Sequence, residues 1–242
     1  MAVNYKEMSA AELLALAPPG WGGALLDGLL VSVQVALSGY VIGLGIGLAG
    51  ANLKRTGGPV VRDLMAVYTT MVRAIPELVL ILLAYFALPT FINQILTGFG
   101  FERVEISGFA AGVIVIGFVQ GAYATEVFRG AIGSVPFGQI EAAQSFGMHP
   151  FKVFYRVTLP IMLPAALPGL SNLWLIAAKD TALLAVVGFT ELTLVARQAA
   201  GATKHYFLFL MAAGALYLIL TLLSVWGFKL IENRVNRGAR HA

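Results

Sequence analysis

A polar, turn-rich segment separates two long apolar parts of the chain, and it reads SVPFGQIEAAQSFGMHPFKVFYRVTLP over residues 134–160. Pro136 suits the first turn of a helix, where its fixed φ is favourable and its missing N–H is not needed. Gly147 suits the left-handed residue that often ends a helix. We therefore expect a short helix over residues 136–146 and a second short helix that restarts after His149.

The second short helix is expected to be amphipathic. Phe151, Phe154 and Tyr155 fall on one face, whereas Lys152 and Arg156 fall on another. Two such helices, joined by a glycine-containing turn between apolar runs, are suited to a membrane surface. There they would present one face to a partner in the cytoplasm.

The composition is that of an integral membrane protein. Of the 242 residues, 59% are hydrophobic and only 12% are charged, whereas roughly 25% charged residues is usual in soluble domains. A membrane-crossing helix needs about 20 apolar residues, so five or six crossings would use most of the chain. We expect one all-α transmembrane domain over residues 1–242, beginning with a mature segment rather than a cleaved signal peptide.

The apolar runs predict five membrane-spanning helices. Their expected bounds are residues 28–53, 64–88, 106–128, 159–189 and 206–228. Pro76 is expected to break the second, and three prolines near its start are expected to bend or break the fourth. The polar stretch 190–204 is predicted to be a loop. Gly43 and Gly47, four residues apart, permit close helix contact, although glycines are also common in membrane helices generally.

The basic residues predict an orientation. With residues 134–158 inside, ten lie on the cytoplasmic side and four outside, which follows the positive-inside rule. The ten are Lys54, Arg55, Arg62, Arg129, Lys152, Arg156, Lys229, Arg234, Arg237 and Arg240, and the four are Lys6, Arg103, Arg197 and Lys204. We expect a multi-pass protein of the bacterial cytoplasmic membrane with its N-terminus outside and its C-terminus in the cytoplasm.

Charged residues inside the apolar runs are candidates for a transport path, because burying a charge in a membrane is expensive. Arg73 and Glu77 would lie one helical turn apart, and could either neutralise each other or leave Glu77 to bind a cationic group. Asp180 is the deep acid of the fourth span, next to Lys179 and Thr181. Glu126 and Arg129 are interpreted as interfacial.

No motif indicates soluble-enzyme chemistry. The chain has no cysteine, no phosphate-binding glycine loop and no His-Glu-x-x-His zinc pair. Its three histidines are scattered. We expect no catalytic site, no metal site and no cofactor in this chain, and the net charge of +4 is explained by topology rather than by nucleic-acid binding.

The polar segment resembles the EAA loop of ATP-binding-cassette importer permeases. Glu141-Ala142-Ala143, then Gly147, then Val157-Thr158-Leu159-Pro160 have the spacing of that loop. In the family the loop forms helices that dock in a groove of the ATPase. The resemblance therefore implies that Glu141, Ala142, Ala143 and Gly147 couple this chain to an ATPase.

Further stretches narrow the resemblance to the polar-amino-acid subfamily, of the histidine, lysine/arginine/ornithine and opine type. They are Arg73-Ala-Ile-Pro-Glu77-Leu, Glu126 with Arg129-Gly130, and Lys179-Asp180-Thr181-Ala-Leu183. The likeness covers about residues 25–232. Ala74 and Ala182 depart from the usual Gly and Ser, which leaves the fine specificity open.

The resemblance implies a permease subunit that forms the path for a polar amino acid or opine. The implied partners are a second permease subunit, two ATPase subunits that carry ATP and Mg²⁺, and an extracytoplasmic amino-acid-binding protein. The buried acids favour a cationic ligand, so the expected substrate-binding residues are Arg73, Glu77, Asp180 and Thr181. The alternative is a self-contained secondary transporter with a proton site on an intramembrane carboxylate, which would normally need internal repeats and more spans.

Overall fold

The computed structural model describes residues 5–239, and within them it is helical with no β-strand. Arg240, counted above among the cytoplasmic basic residues, lies outside the described residues, as do the side chains of Lys6 and Arg237. The α-helices are α1 (Ala10–Leu13), α2 (Gly22–Thr56), α3 (Pro59–Ala74), α4 (Glu77–Leu82), α5 (Leu88–Gly98), α6 (Gly108–Gly133), α7 (Phe137–Ser145), α8 (Pro150–Val153), α9 (Leu159–Asp180), α10 (Leu192–Thr203) and α11 (Tyr206–Ala239).

Five helical segments of the described chain are long and apolar enough to cross a membrane, as the sequence predicted. They are Gly22–Thr56, Glu77–Gly98, Gly108–Gly133, Pro150–Val187 and Tyr206–Asn236. The second differs from the expected 64–88, because it begins at Glu77 and continues to Gly98 through a π-helical segment, Leu83–Ala87. The connection expected at residues 89–105 is therefore helical over its first half.

The predicted break at Pro76 is confirmed. Helix α3 ends at Ala74, Ile75 is extended with φ −90° and ψ 133°, and α4 begins at Glu77. Proline restricts the residue before it to extended conformations, so the helix must stop at Ile75. Arg73 and Glu77 therefore belong to two different helices and are not one turn apart on a single helix.

The fourth span is longer than expected and is not broken at its prolines. Helix α8 passes through a π-helical segment, Phe154–Thr158, directly into α9, and a 3₁₀ segment, Thr181–Val187, extends it further. The second short helix predicted after His149 is therefore the first turn of a span rather than a separate element. The π-helical segment lies immediately before Pro160, which has no N–H to continue the α-helical ladder.

The stretch 190–204, predicted to be a loop, is largely helix α10. Its buried residues recur at helical spacing, so one face packs inside the protein. They are Leu192, Val195, Ala196, Ala199, Ala200 and Thr203. The prediction was wrong because the polar residues between these positions lowered the average hydropathy without disturbing the periodicity.

The chain forms two compact units. The first contains the residues up to Gly39, Pro76–Ile116 and Ile176–Leu222. Its buried apolar cluster joins α1, α2, α10 and α11, with Leu13, Leu192 and Phe209 completely inaccessible to solvent.

The second unit contains Tyr40–Ile75, Gly117–Leu175 and the segment from Leu223 onward. Here α2 and α6 meet closely, as the spacing of Gly43 and Gly47 allowed. A Cβ placed on Gly43 would lie 2.7 Å from Cβ of Gln120, and one on Gly47 would lie 2.8 Å from the backbone carbon of Ala124. The glycines are therefore required by this contact rather than being incidental membrane glycines.

Candidate functional site

The residues predicted to couple to an ATPase lie on α7 and in the turn that follows it. Glu141 and Ala142 are exposed, whereas Ala143 is buried on the opposite side of the helix. Gly147 has φ +71°, a left-handed conformation that favours glycine. The turn is closed by two backbone hydrogen bonds, from Gly147 N–H to Gln144 O at 2.8 Å and from Met148 N–H to Ala143 O at 3.2 Å. The first predicted helix and its glycine terminator are therefore confirmed.

Large aromatic side chains around this turn are exposed. Phe146 is 89% exposed, Phe151 71% and Tyr155 64%. Exposed aromatic side chains at a polar turn outside the long apolar runs are consistent with a surface that contacts a partner or the membrane interface. The sequence placed Phe151 and Tyr155 on one apolar face with Phe154, but in the structure Val153 is the buried residue of this turn.

Arg73 is exposed at the end of α3, and its guanidinium carbon lies 5.5 Å from the ring centroid of Tyr123 on α6. A cation over an aromatic face is stabilised by roughly 0.5–2 kcal/mol. Both residues belong to the second unit. Arg73 therefore has an electrostatic partner that the sequence did not indicate.

Glu77 and Asp180 belong to the first unit. Both side chains are half-buried, and the helix that begins at Glu77 contacts the 3₁₀ segment Thr181–Val187, which directly follows Asp180. The negative charge of Glu77 acts on Asp180, which also feels the positive charge of Lys179. The two predicted acids therefore influence each other electrostatically, and two negative charges in one region favour a bound cation.

Thr181 is fully buried rather than open to a ligand. Its hydroxyl donates to Ala178 O at 2.8 Å and lies 3.4 Å from the hydroxyl of Tyr217. Tyr217 in turn donates to Glu191 Oε2 at 2.9 Å. Thr181 thus connects the end of the fourth span to a polar network inside the first unit.

Glu191 is the centre of that network and was not found from the sequence. It is completely buried, and its carboxylate accepts hydrogen bonds from Ser32 Oγ at 3.1 Å and from Leu194 N–H at 2.9 Å, besides that from Tyr217. The bond from Leu194 caps the N-terminus of α10, where a negative group also interacts favourably with the helix dipole. Its position before a helical repeat of buried residues was the signal that could have identified it.

Glu126 is held by two cations in the second unit. Lys54 Nζ lies 2.5 Å from Glu126 Oε1, and Arg129 Nε lies 2.8 Å from Glu126 Oε2. Lys54 also donates to Thr69 Oγ1 at 2.7 Å. The side chain of Lys54 thus links its own helix, α2, to α3 and α6. The sequence analysis interpreted Glu126 and Arg129 as interfacial, and it did not indicate Lys54, which is 72 residues away from Glu126.

Gln120 is a further buried polar residue of α6. It is 1% exposed, and neither its amide nitrogen nor its amide oxygen has a hydrogen-bond partner within residues 5–239. Within the same residues, no group of three or more His, Cys, Asp or Glu side chains is arranged to hold a metal ion.

Comparison with known proteins gives a family over most of the chain. The model of a family described as "Binding-protein-dependent transport system inner membrane component" matches residues 40–237. The chain is 37% identical over 223 residues to the histidine/lysine/arginine/ornithine transport system permease protein HisQ of Salmonella typhimurium, covering 92% of this chain and 98% of that protein. It is 43% identical over 232 residues to the nopaline transport system permease protein NocQ of Agrobacterium fabrum, covering 94% and 98%.

A solved structure has the same fold. The crystal structure of an amino acid ABC transporter with histidines superposes with a TM-score of 0.74 at 29% sequence identity, covering 88% of this chain and 95% of the solved chain. The fold is therefore similar to that of a solved transporter chain over 88% of this chain.

Proposed function

Because the chain belongs to the family of binding-protein-dependent transport system inner membrane components, we propose that it is the permease subunit of an ATP-driven importer for cationic amino acids or opines. The observation that carries this proposal is the near-complete coverage of relatives named for histidine, lysine, arginine, ornithine and nopaline transport. The five apolar helices support a membrane-spanning role.

In the proposed assembly, a second permease subunit pairs with this chain, and two ATPase subunits bind ATP and Mg²⁺ on the cytoplasmic side. An extracytoplasmic binding protein delivers the ligand. The ten-to-four distribution of basic residues supports a cytoplasmic C-terminus and an external N-terminus. The cycle is alternating access driven by ATP binding and hydrolysis.

Glu77 and Asp180 are the proposed acids for the cationic group of the ligand, since both are half-buried in one unit. Arg73, whose guanidinium lies over the ring of Tyr123, is also kept as a proposed substrate-binding residue. Thr181 is fully buried, and it is proposed to act at the ligand site by fixing the backbone of the 3₁₀ segment that follows Asp180. A charge-assisted hydrogen bond in a partly dry site contributes roughly 1.5–3 kcal/mol, which corresponds to about tenfold to hundredfold in affinity.

The test of this site is uptake of radiolabelled arginine by proteoliposomes that contain the complete transporter. Glu77→Gln keeps the shape and removes the charge, so we expect uptake to fall about tenfold to hundredfold while basal ATPase activity remains. Asp180→Asn should act in the same direction with a smaller effect, because Lys179 is beside it. Glu102→Gln, at an exposed acid of the first unit, is the matched control and should leave uptake unchanged.

A second variant separates this proposal from mutual neutralisation of Arg73 and Glu77. If Glu77 served only to compensate Arg73, the double change Arg73→Gln with Glu77→Gln would restore uptake with unaltered ligand preference. That result would rule out Glu77 as a ligand residue.

The coupling role of Glu141, Ala142, Ala143 and Gly147 is tested at the turn. The space around Gly147 is open, so a side chain there acts through the backbone conformation rather than by collision. Gly147→Val opposes the left-handed φ and should uncouple or dissociate the ATPase, whereas Gly147→Asn tolerates that φ and should keep both binding and uptake. Equal ATPase copurification and equal uptake for the two variants would contradict the coupling role.

A further inference from the structure

A pocket in the second unit combines basic and apolar walls. It has a volume of about 420 Å³ and lies between the end of α2, the end of α6 and the start of α7. Lys54, Arg55 and Arg129 supply its basic wall, whereas Ile132 and Phe137 belong to its apolar wall. All of these residues lie within one compact unit.

The charges around this pocket do not balance. Glu126 compensates Lys54 and Arg129 together, since one carboxylate receives both cations. Arg55 is exposed and makes no ion pair with any residue between 5 and 239. Three cations against one carboxylate leave the pocket with a net positive charge that favours an anionic occupant.

The position of the pocket along the helices indicates its depth in the membrane. In α2 the charge-free run 28–53 ends directly before Lys54, and in α6 the charge-free run 106–125 ends directly before Glu126. About 20 apolar residues cross the hydrocarbon layer, so both helices leave it where these two side chains meet at 2.5 Å. The pocket therefore lies at the level of the lipid headgroups.

We propose that this pocket binds an anionic phospholipid. The guanidinium groups of Arg55 and Arg129 hold its phosphate, since arginine matches phosphate oxygens with paired N–H donors, and Ile132 and Phe137 contact the first part of its acyl chains. Basic pockets between membrane helices are recognised sites for such headgroups. The apolar wall beside the cations distinguishes this arrangement from a site for free phosphate. The proposal requires only that the chain spans a membrane, and it is independent of the transported substrate.

The test counts lipids bound to the purified transporter by native mass spectrometry during titration with phosphatidylglycerol or phosphatidylcholine. We expect phosphatidylglycerol to bind about tenfold more tightly, and Arg55→Gln to remove most of that preference. Arg55→Gln is the decisive variant because Arg55 holds no ion pair, whereas Arg129→Gln would also disturb Glu126. Arg62→Gln, an exposed arginine of α3 outside the pocket, is the control and should keep the preference.

Four results would overturn the proposal. The first is equal binding of the two lipids to the unsubstituted protein, and the second is an undiminished preference in Arg55→Gln. The third comes from competition with soluble glycerophosphate: displacement at the same concentration as phosphatidylglycerol would mean a phosphate site without a lipid. If the lipid binds the permease alone but is absent from the complex with its ATPase, the pocket is a protein-docking surface instead.

Discussion

Glu191 in the first unit and Glu126 in the second are both carboxylates withdrawn from water, but their surroundings differ. Glu191 is fully buried and accepts hydrogen bonds from two hydroxyl groups and one backbone N–H. Glu126 keeps 21% of its side chain exposed and lies between Lys54 and Arg129. One acid is satisfied by neutral dipoles and the other by charges.

This difference predicts different responses to perturbation. Neutral donors fixed by helix packing are insensitive to dissolved salt, but removing the acid takes away the acceptor that they share. Paired charges near the membrane surface are weakened by salt, and removing one partner leaves a lone charge that is only partly desolvated. The following changes separate the two environments.

The largest effect is expected for Glu191→Ala. It leaves the N–H of Leu194 without its acceptor, which removes the cap of α10, and it deletes the carboxylate to which Ser32 and Tyr217 donate. Ser32 keeps Gly28 O as an acceptor, and the Tyr217 hydroxyl keeps those of Thr181 and Thr193 as neighbours. We expect a loss of about 3–5 kcal/mol in the free energy of unfolding, measured by SDS titration in mixed micelles. Glu102→Ala, at an exposed acid, should change it by less than about 0.5 kcal/mol. A similar value for both variants would show that the network does not stabilise the fold.

The next effect is expected for Lys54→Met. It removes one of two cations from Glu126 and should lower the free energy of unfolding by about 1–3 kcal/mol, less than a completely buried pair would lose because the site is partly exposed. Adding Glu126→Gln removes the acceptor that Lys54 had bonded, so the double variant should lose less than the sum of the losses of the two single variants. If the two changes were strictly additive in the same measurement, Lys54 and Glu126 would not be coupled.

A smaller effect is expected for Tyr217→Phe. It deletes one donor to Glu191 but retains those from Ser32 and Leu194, so about 1 kcal/mol should be lost. Thr181 keeps its bond to Ala178 O. The control is Tyr206→Phe, at an exposed tyrosine of α11, which should leave the free energy of unfolding unchanged. If Tyr217→Phe lost as much stability as Glu191→Ala, Tyr217 would act through more than its bond to Glu191.

The smallest effect is the response to salt. Raising the ionic strength from 0.1 M to 1 M shortens the screening length from about 10 Å to about 3 Å. The stability difference between the unsubstituted protein and Lys54→Met should then shrink by a few tenths of a kcal/mol. The difference for Tyr217→Phe should stay constant, and an equal change in both would remove the distinction between the two environments.

The elements that the sequence predicted correctly are those set by local chemistry. The number of spans follows from apolar run length, the break follows from Pro76, and the end of α7 follows from Gly147. Helix α10 was missed because average polarity was given more weight than the spacing of Leu192, Val195 and Ala199. Its apolar face was visible in the sequence.

The partners of the buried charges could not be predicted from local sequence. Ser32 and Glu191 are 159 residues apart, and Lys54 and Glu126 are 72 apart. Their pairing depends on how helices pack, which a pattern within one helix does not contain. The same applies to Arg73, whose neighbour in the sequence, Glu77, was the obvious candidate, whereas the structure places its guanidinium over Tyr123.

The hydrogen bonds of Glu191 also set an order for biosynthesis. A ribosome adds residues from the N-terminus onward, so Ser32 and Glu191 are both made before Tyr217. Until α11 has been inserted, Glu191 lacks the hydrogen bond from Tyr217 that it accepts in the folded protein. Helix α11 is therefore the element that completes the hydrogen bonding of Glu191 in the first unit.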